Sequence, residues 1–335
     1  MNQTDRKEVV VITGASAGVG RATARLFARQ GARIALLARG REGLEGARRE
    51  VEKLGGEGLV LPTDVAQFEQ VEAAAAAVEE TFGPIDIWIN NAMVSVFSPV
   101  KEMQAEEYRR VTEVTYLGYV HGSLAALRWM LPRNRGTIVQ VGSALAFRGI
   151  PLQSAYCAAK HAIQGFTESL RAELLHDQSS IRVTEVHLPA INTPQFSWVK
   201  TRLPRKPQPV PPIYQPELAA QAIVHAARSQ RRSIWMGLPT LRTVLSNRLV
   251  PGYVDRKLAR TGYESQQYDG LVEPGRPHNL WQPLPGDYGT HGEFDSRAQS
   301  HSLQLWADLN RRWLALGVSG LLVSVLALLK GKKGD

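Results

Sequence analysis

The sequence predicts an α/β protein: a Rossmann-type, doubly wound parallel sheet in a single domain that carries an extended C-terminal tail. Short apolar, β-branched runs alternate with helical patterns over the first 240 residues, which is typical of a parallel sheet with crossover helices. The runs are apolar throughout, as expected for strands buried on both faces. The first run also leads straight into a glycine-rich turn and a helix.

The elements follow in regular order along the chain. Strands are predicted at 8–13, 33–38, 58–61, 85–89, 137–141, 181–188 and 233–236, with helices at 21–30, 41–54, 67–82, 106–131, 154–176 and 216–229. Seven prolines between Pro194 and Pro216 predict an irregular loop, and we assign residues 190–216 to a substrate-covering segment at the carboxyl ends of the strands. Residues 1–240 then form the nucleotide-binding domain, 241–300 an irregular extension and 301–335 a helical tail.

The glycine-rich turn has the spacing G-x-x-x-G-x-G, formed by Gly14, Gly18 and Gly20. Glycines let the backbone approach a pyrophosphate, and the following helix N-terminus offers free N–H groups and a partial positive charge. The second strand ends at Arg39 without a preceding acid. An arginine at this position accommodates a 2′-phosphate, so NADP is favoured over NAD, unless Arg39 merely begins a solvated helix.

Three polar residues stand out in the small-residue segment 143–160. Tyr156 and Lys160 are four residues apart and therefore share one face of the predicted helix. A nearby ammonium favours a phenolate, so we expect the pKa of Tyr156 to be lowered and its hydroxyl to act as an acid/base. Ser143 leaves the end of a strand and can donate to the same substrate oxygen. The alternative is a solvated Tyr–Lys pair of a kind that many helices contain.

Composition excludes several other classes of site. A single cysteine, Cys157, precludes an internal disulfide, and no Cys/His cluster has metal-site spacing. The formal net charge is +9, and residues 200–260 contain twelve Lys or Arg against two Asp or Glu. Such a tract suits nucleic acid, anionic lipid or phosphorylated ligands. No nucleic-acid-binding motif accompanies it, so we expect a solvated surface and no nucleic-acid partner.

The motifs together resemble the short-chain dehydrogenase/reductase family over about residues 5–240. They are Thr13-Gly14-Ala-Ser-Ala-Gly18-Val-Gly20, Asp64-Val65, Asn90-Asn91-Ala92, Ser143 and Tyr156-Cys-Ala-Ala-Lys160, in this order. The resemblance implies that Tyr156 is the acid/base, that Lys160 grips the nicotinamide ribose and that Ser143 steadies a carbonyl. It further implies a homodimer or homotetramer, and contacts to the cofactor from Gly14, Ser16, Val19, Gly20, Asp64, Val65, Asn91 and Thr193.

Two positions depart from the family pattern. Thr115 lies where members usually carry a fourth catalytic residue, an Asn, and Met93 replaces a glycine after Asn90-Asn91-Ala92. A hydroxyl is shorter than an amide and cannot make the same hydrogen bonds. The leading interpretation is an NADP-dependent oxidoreductase acting on a carbonyl or secondary alcohol. The alternative is a catalytically impaired, nucleotide-binding scaffold or sensor.

The C-terminal tail predicts a membrane contact. Residues 301–313 have the spacing of an amphipathic helix, and residues 313–329 contain no charge but are bracketed by basic residues. Seventeen residues are near the lower limit for a spanning helix, which needs about 20. We expect a membrane-associated protein whose catalytic domain faces the cytoplasm, with a lipophilic substrate. Insertion into one leaflet, or an oligomer-contact or core helix, are the alternatives.

Overall fold

A seven-stranded sheet forms the centre of the protein, and the computed structural model describes residues 6–311. The strands are β1 (Val9–Thr13), β2 (Arg33–Ala38), β3 (Glu57–Pro62), β4 (Ile87–Asn90), β5 (Val96–Phe97), β6 (Thr137–Ser143), β7 (Arg182–Leu188), β8 (Lys200–Thr201), β9 (Arg205–Pro207), β10 (Ile213–Tyr214), β11 (Ser233–Trp235), β12 (Gln267–Leu271) and β13 (Ala298–Gln299). The central sheet is wholly parallel, in the order β11-β7-β6-β4-β1-β2-β3. The predicted doubly wound fold is confirmed.

Helices cover both faces of this sheet. They are α1 (Gly18–Ala28), α2 (Arg41–Lys53), α3 (Phe68–Phe82), α4 (Ala105–Thr112), α5 (Gly118–Met130), α6 (Ser154–His176), α7 (Gln195–Trp198), α8 (Pro216–Arg228), α9 (Gly237–Leu249), α10 (Pro251–Thr261) and α11 (Leu303–Leu309). Alternate side chains of β1 enter opposite layers of the core: Val10 and Ile12 join one, Val9 and Val11 the other. This explains why the strand is apolar at every position.

Three predicted segments differ from the structure. The helix predicted at 106–131 is divided by a π-helical turn at Glu113–Leu117, which separates α4 from α5. The loop 190–216 is not irregular throughout, because β8, β9 and β10 pair with β5, β12 and β13. These short strand pairs provide hydrogen-bond partners for backbone N–H and C=O groups of the loop.

The extension 241–300 is irregular only in its later part. Most of α9 and the whole of α10 lie within it, so the prediction of an extension without regular structure is wrong there. Proline occupies the first position of α10, where its missing N–H costs no hydrogen bond. Within residues 6–311, none of the helices has the length and apolar character that crossing a bilayer requires. The predicted membrane segment 313–329 lies outside the described residues.

Candidate active site

The cleft begins where β1 and β4 lie side by side, at the point where the strand order reverses. The Thr13 hydroxyl accepts hydrogen bonds from the backbone N–H groups of Asn91 (2.9 Å) and Ala92 (3.1 Å). The Asn91 side chain donates back to the Thr13 carbonyl oxygen at 2.9 Å. These bonds join the two strand ends and fix the floor of the cleft.

The glycine-rich turn leaves space that side chains would fill. Gly14 has a φ of +67°, and a Cβ placed on Gly20 would lie 2.3 Å from the Gly14 carbonyl oxygen. The turn therefore requires glycine at both positions. Gly20 does not line the cleft, but its lack of a side chain lets the start of α1 pack against the Gly14 carbonyl. The residues present fit a dinucleotide cofactor, since a glycine turn precedes the helix N-terminus of α1.

A single cavity of about 960 Å³ joins the glycine-rich turn to Ser143, Tyr156 and Lys160. Of the residues predicted to be catalytic or to contact the cofactor, Thr115 and Gly20 do not line it. Those that do are Gly14, Ser16, Val19, Arg39, Asp64, Val65, Asn91, Ser143, Tyr156, Lys160 and Thr193. Positions spread over 180 residues of sequence thus converge because the carboxyl ends of parallel strands share one edge.

Ser143 and Tyr156 form the polar centre of the cavity. Ser143 is the last residue of β6 and is buried, and its side chain hydrogen-bonds to Tyr156. The backbone N–H of Leu145 donates to the Ser143 hydroxyl at 3.1 Å and fixes its position. Tyr156, on the first turn of α6, is partly exposed toward the cavity that it lines.

The pKa of Tyr156 moves opposite to the expectation. Burial raises the pKa of this phenol above its usual value, and the hydrogen bond to Ser143 lowers it by less. The prediction of a lowered pKa is therefore wrong for this structure. The Lys160 ammonium nitrogen lies 5.6 Å from the centroid of the Tyr156 ring and is directed elsewhere, so it does not offset the loss of hydration.

Lys160 is buried, and its Nζ has two oxygen partners. It donates to the Val141 carbonyl oxygen at 2.7 Å and to the Tyr119 hydroxyl at 2.9 Å. Neither partner carries a charge. Burial lowers the pKa of Lys160 from its usual value of 10.5 to about 7, so the amine loses its proton near neutral pH.

The Thr115 side chain hydrogen-bonds to the backbone of Val94 and not to Lys160. Its hydroxyl donates to the Val94 carbonyl oxygen at 2.8 Å and accepts from the Val94 N–H at 3.0 Å, inside the π-helical turn. The hydroxyl thus holds the chain after β4 against the helix. Sequence reasoning missed Tyr119, one helical turn later, which is the residue that meets Lys160.

A C-terminal strap, defined here as residues 279–292, covers the other end of the cavity. Gly289 accepts a hydrogen bond from the Gly18 N–H of the glycine turn at 3.1 Å, and Asp287 forms an ion pair with Arg21. Glu42 of α2 accepts from the Gly286 N–H. The sequence predicts an irregular extension over 241–300, but not that part of it would line this cavity.

Arg39 and Asp64 both lie beneath this strap. The Arg39 guanidinium donates to the carbonyl oxygens of Asn279 (2.5 Å) and Trp281 (2.8 Å). Asp64 forms an ion pair with Arg110 at 2.6 Å, and Arg110 in turn donates to the Leu280 carbonyl oxygen. Arg39 still lines the cavity and retains N–H groups that these two bonds do not use.

Comparison with known proteins agrees with this geometry. The family model described as short chain dehydrogenase matches residues 8–202. The uncharacterized oxidoreductase YxnA of Bacillus subtilis (strain 168) is 33% identical over 290 residues, covering 85% of this chain and 82% of that protein. A fatty acyl-CoA reductase of Acinetobacter baylyi is 30% identical over 239 residues, covering 71% of this chain and 78% of that protein.

Among solved structures, an alcohol dehydrogenase from the archaeon Thermococcus sibiricus, complexed with 5-hydroxy-NADP, superposes with a TM-score of 0.60. It is 28% identical and covers 69% of this chain and 95% of its own. The family match spans more than half of the chain, and its region contains the glycine turn and the Ser143–Tyr156–Lys160 group. The chain therefore belongs to the short-chain dehydrogenase/reductase family, whose members are NAD(P)-dependent oxidoreductases acting on CH–OH and C=O groups.

Proposed function

We propose that the protein is an NADP-dependent oxidoreductase that interconverts a carbonyl and a secondary alcohol on a lipophilic substrate, with Tyr156 as the acid/base. The observation that carries the proposal is the meeting of Ser143, Tyr156 and Lys160 in the same cavity as the glycine turn. The bound nicotinamide supplies or accepts the hydride, and the protein handles the proton.

The three side chains divide the work on the substrate oxygen. The Ser143 hydroxyl is held by Leu145 and orients the substrate oxygen beside the phenol. Tyr156 carries its proton at physiological pH, as an ordinary phenol does, and burial further favours this neutral form, from which it can donate a proton to a carbonyl. When Lys160 is protonated, the N–H that Val141 and Tyr119 leave unused can hold a ribose hydroxyl, and the positive charge favours the phenolate left after donation.

Two features support the choice of cofactor and substrate. Arg39 lines the cavity after β2, where a cation suits a 2′-phosphate. The region beside Tyr156 is mainly apolar, in keeping with a lipophilic substrate and with the similarity to an acyl-CoA reductase. Its apolar wall consists of Leu145, Ile150, Phe196, Val210, Leu238, Val250, Val254 and Leu258.

The decisive variant is Tyr156→Phe, assayed by NADPH oxidation on a panel of lipophilic ketones. We expect turnover to fall by at least about a hundredfold, because proton transfer by a positioned side chain contributes that much. NADPH binding, followed by its fluorescence, should be retained. Tyr263→Phe removes a hydroxyl from an exposed tyrosine and should leave the rate unchanged. Full activity in Tyr156→Phe would refute the mechanism.

Arg39→Leu tests the choice of cofactor. We expect KM for NADPH to rise by about tenfold with little change for NADH, since a single charged contact to phosphate contributes roughly 1.4 kcal/mol. The NADH measurement serves as the internal control, because Arg39 also anchors the strap. An equal loss with both cofactors would show that Arg39 acts only through the strap.

The competing proposal is a cofactor-binding scaffold or sensor, which the Thr115 and Met93 departures motivate. Thr115 satisfies its own hydrogen bonds and lies away from the cavity wall, which favours the enzyme. NADPH binding with no turnover of any ketone, unchanged by Thr115→Asn, would favour the scaffold.

Our proposal also includes a homodimer or homotetramer, and membrane association with the catalytic domain facing the cytoplasm. Sedimentation of the full chain tests the first, and membrane fractionation tests the second.

A further inference from the structure

Helices α9 and α10 expose an unusual number of large apolar side chains. Leu238, Leu245 and Leu249 are each 48–75% exposed, and their spacing of seven and four places them on one face of α9. Val250 and Tyr253 continue the exposed surface into α10, where Tyr253 is 64% exposed. Single exposed apolar residues are ordinary, but five within sixteen residues form a patch that marks an interaction site.

Positive charge surrounds this patch. Between Gly237 and Thr261 the sequence has five basic residues and one acidic residue. The acid, Asp255, already forms an ion pair with Arg148 of the neighbouring turn. Arg242 and Lys257 form no ion pair within residues 6–311. The patch therefore presents a net positive field to whatever covers it.

Three of the five apolar side chains also line the cavity that contains Tyr156, and Leu245 and Leu249 extend the patch beyond its rim. Leu238, Arg242, Val250, Tyr253 and Lys257 are exposed to solvent and also line the cavity that contains Tyr156. A partner seated on this surface would meet the cavity entrance directly. An apolar ligand could then pass from that partner into the cavity without crossing bulk water.

We propose that the α9–α10 rim docks on an anionic lipid bilayer. Apolar side chains flanked by lysine and arginine, with a tyrosine among them, are what an interfacial surface needs: the apolar groups enter the headgroup boundary while the cations meet anionic lipids. A second copy of the chain is disfavoured as the occupant, because two positive patches repel each other. The C-terminal segment 313–329 is disfavoured for the same reason, since basic residues bracket it.

A fluorophore placed on the rim tests docking separately from the tail and from catalysis. Leu249→Cys and, as the control, Leu175→Cys are labelled with an environment-sensitive dye in the full chain. Leu175 is 76% exposed, and on α6 it lies nineteen residues from Tyr156, about 28 Å along the axis. The native Cys157 is buried. Vesicles of phosphatidylcholine mixed with phosphatidylglycerol should shift the emission to the blue at position 249 and not at 175.

Four further outcomes decide the proposal. High salt or pure phosphatidylcholine should weaken the shift, and Leu249→Glu with Tyr253→Glu should lower partitioning into anionic vesicles by about tenfold or more, whereas Leu175→Glu should not. Vesicle binding without a shift at 249 would mean that another segment carries the protein to the membrane. A shift produced by a soluble acidic peptide, or by raising the protein concentration alone, would point to a protein partner or a second copy. Either result would overturn the docking proposal.

Discussion

Two buried cations, one paired with the strap and one beside Tyr156, have opposite electrostatic environments. Arg21 and Lys160 are each 3% exposed. Burial lowers the pKa of Arg21, but hydrogen bonds to Asp287 and Glu50 outweigh this and raise the pKa. Lys160 has only a carbonyl oxygen and a hydroxyl as partners, and burial lowers its pKa to about 7. One cation is permanently charged and the other titrates near neutral pH.

The difference explains what each end of the cleft does. A cation paired with two carboxylates stays charged. The Arg21–Asp287 ion pair therefore holds the strap beside the glycine turn. A buried amine without a carboxylate changes charge in response to small changes around it. The charge at the strap end is therefore fixed, whereas the charge of Lys160 near Tyr156 depends on its surroundings.

The largest expected effect is the contribution of Lys160 to stability. Its folded pKa of about 7 lies below the unfolded value of 10.5, so between these values the unfolded chain binds more protons. The free energy of unfolding of the cofactor-free protein should therefore rise from pH 7 to pH 9, on the order of 2 kcal/mol. Urea titrations at several pH values measure it.

Lys160→Met supplies the control for this pH dependence. The variant keeps an unbranched apolar chain but lacks the titrating amine, so the rise between pH 7 and 9 should disappear. Burial raises the pKa of the folded Cys157 thiol to about 11, and the thiol of the unfolded chain ionises at about pH 8.5 in both proteins, so its contribution cancels from the comparison. An unchanged slope in Lys160→Met would show that another group titrates there.

A smaller effect is expected when the strap is loosened by Asp287→Asn. This removes the carboxylate that pairs with Arg21 and also accepts the Gly289 N–H. Because Asp287 is partly exposed, we expect a loss of about 1 kcal/mol, seen as a five- to tenfold faster cofactor release. The rate at saturating cofactor should be unchanged. Stopped-flow displacement of NADPH measures the release.

Glu50→Gln is the matched variant for the strap. It also removes a carboxylate from Arg21, but Glu50 belongs to α2 and does not hold the strap. Cofactor release should then remain close to that of the unchanged protein. Equal acceleration in both variants would mean that the charge balance of Arg21, and not the strap, controls release.

The sheet and the nucleotide end could be predicted because local signals there agree. The helix Ser154–His176 has the predicted bounds, and each predicted sheet strand is present within two residues at either end. An unbroken apolar run identifies a buried parallel strand, and the spacing of its glycines identifies the phosphate-binding type of turn. The convergence of Ser143, Tyr156 and Lys160 in one cavity follows from the same topology.

The C-terminal region could not be predicted because its signals depend on distant partners. The stripe on α9 faces solvent, so the usual inference from an apolar face to a core contact fails. The strap has no regular structure and is held by residues more than 200 positions earlier, including Arg39 and Arg21. Burial raises the pKa of Tyr156, and whether the Lys160 amine offsets this depends on its direction, which spacing on a helix does not determine.

The smallest expected effect is a shift in the pKa of Lys160 when its hydroxyl partner, Tyr119, is changed. Tyr119→Phe keeps the ring, which lies 4.6 Å from the Lys160 amine, but removes the hydroxyl that accepts its hydrogen bond. The ammonium is then less stabilised, so the pKa of Lys160 should fall further, by roughly half to one unit. If the charged amine supports catalysis, the basic limb of the kcat/KM profile should move to lower pH by that amount.

The shape of this profile separates positioning from simple destabilisation. A merely structural effect of Tyr119→Phe would lower kcat/KM equally at every pH, because it would reduce the fraction of well-formed sites without changing a titration. Tyr116→Phe removes a hydroxyl three residues earlier that is not among the partners of Lys160, and its profile should coincide with that of the unchanged protein. A shift of the limb in Tyr119→Phe alone would identify Tyr119 as the residue that positions and tunes the amine.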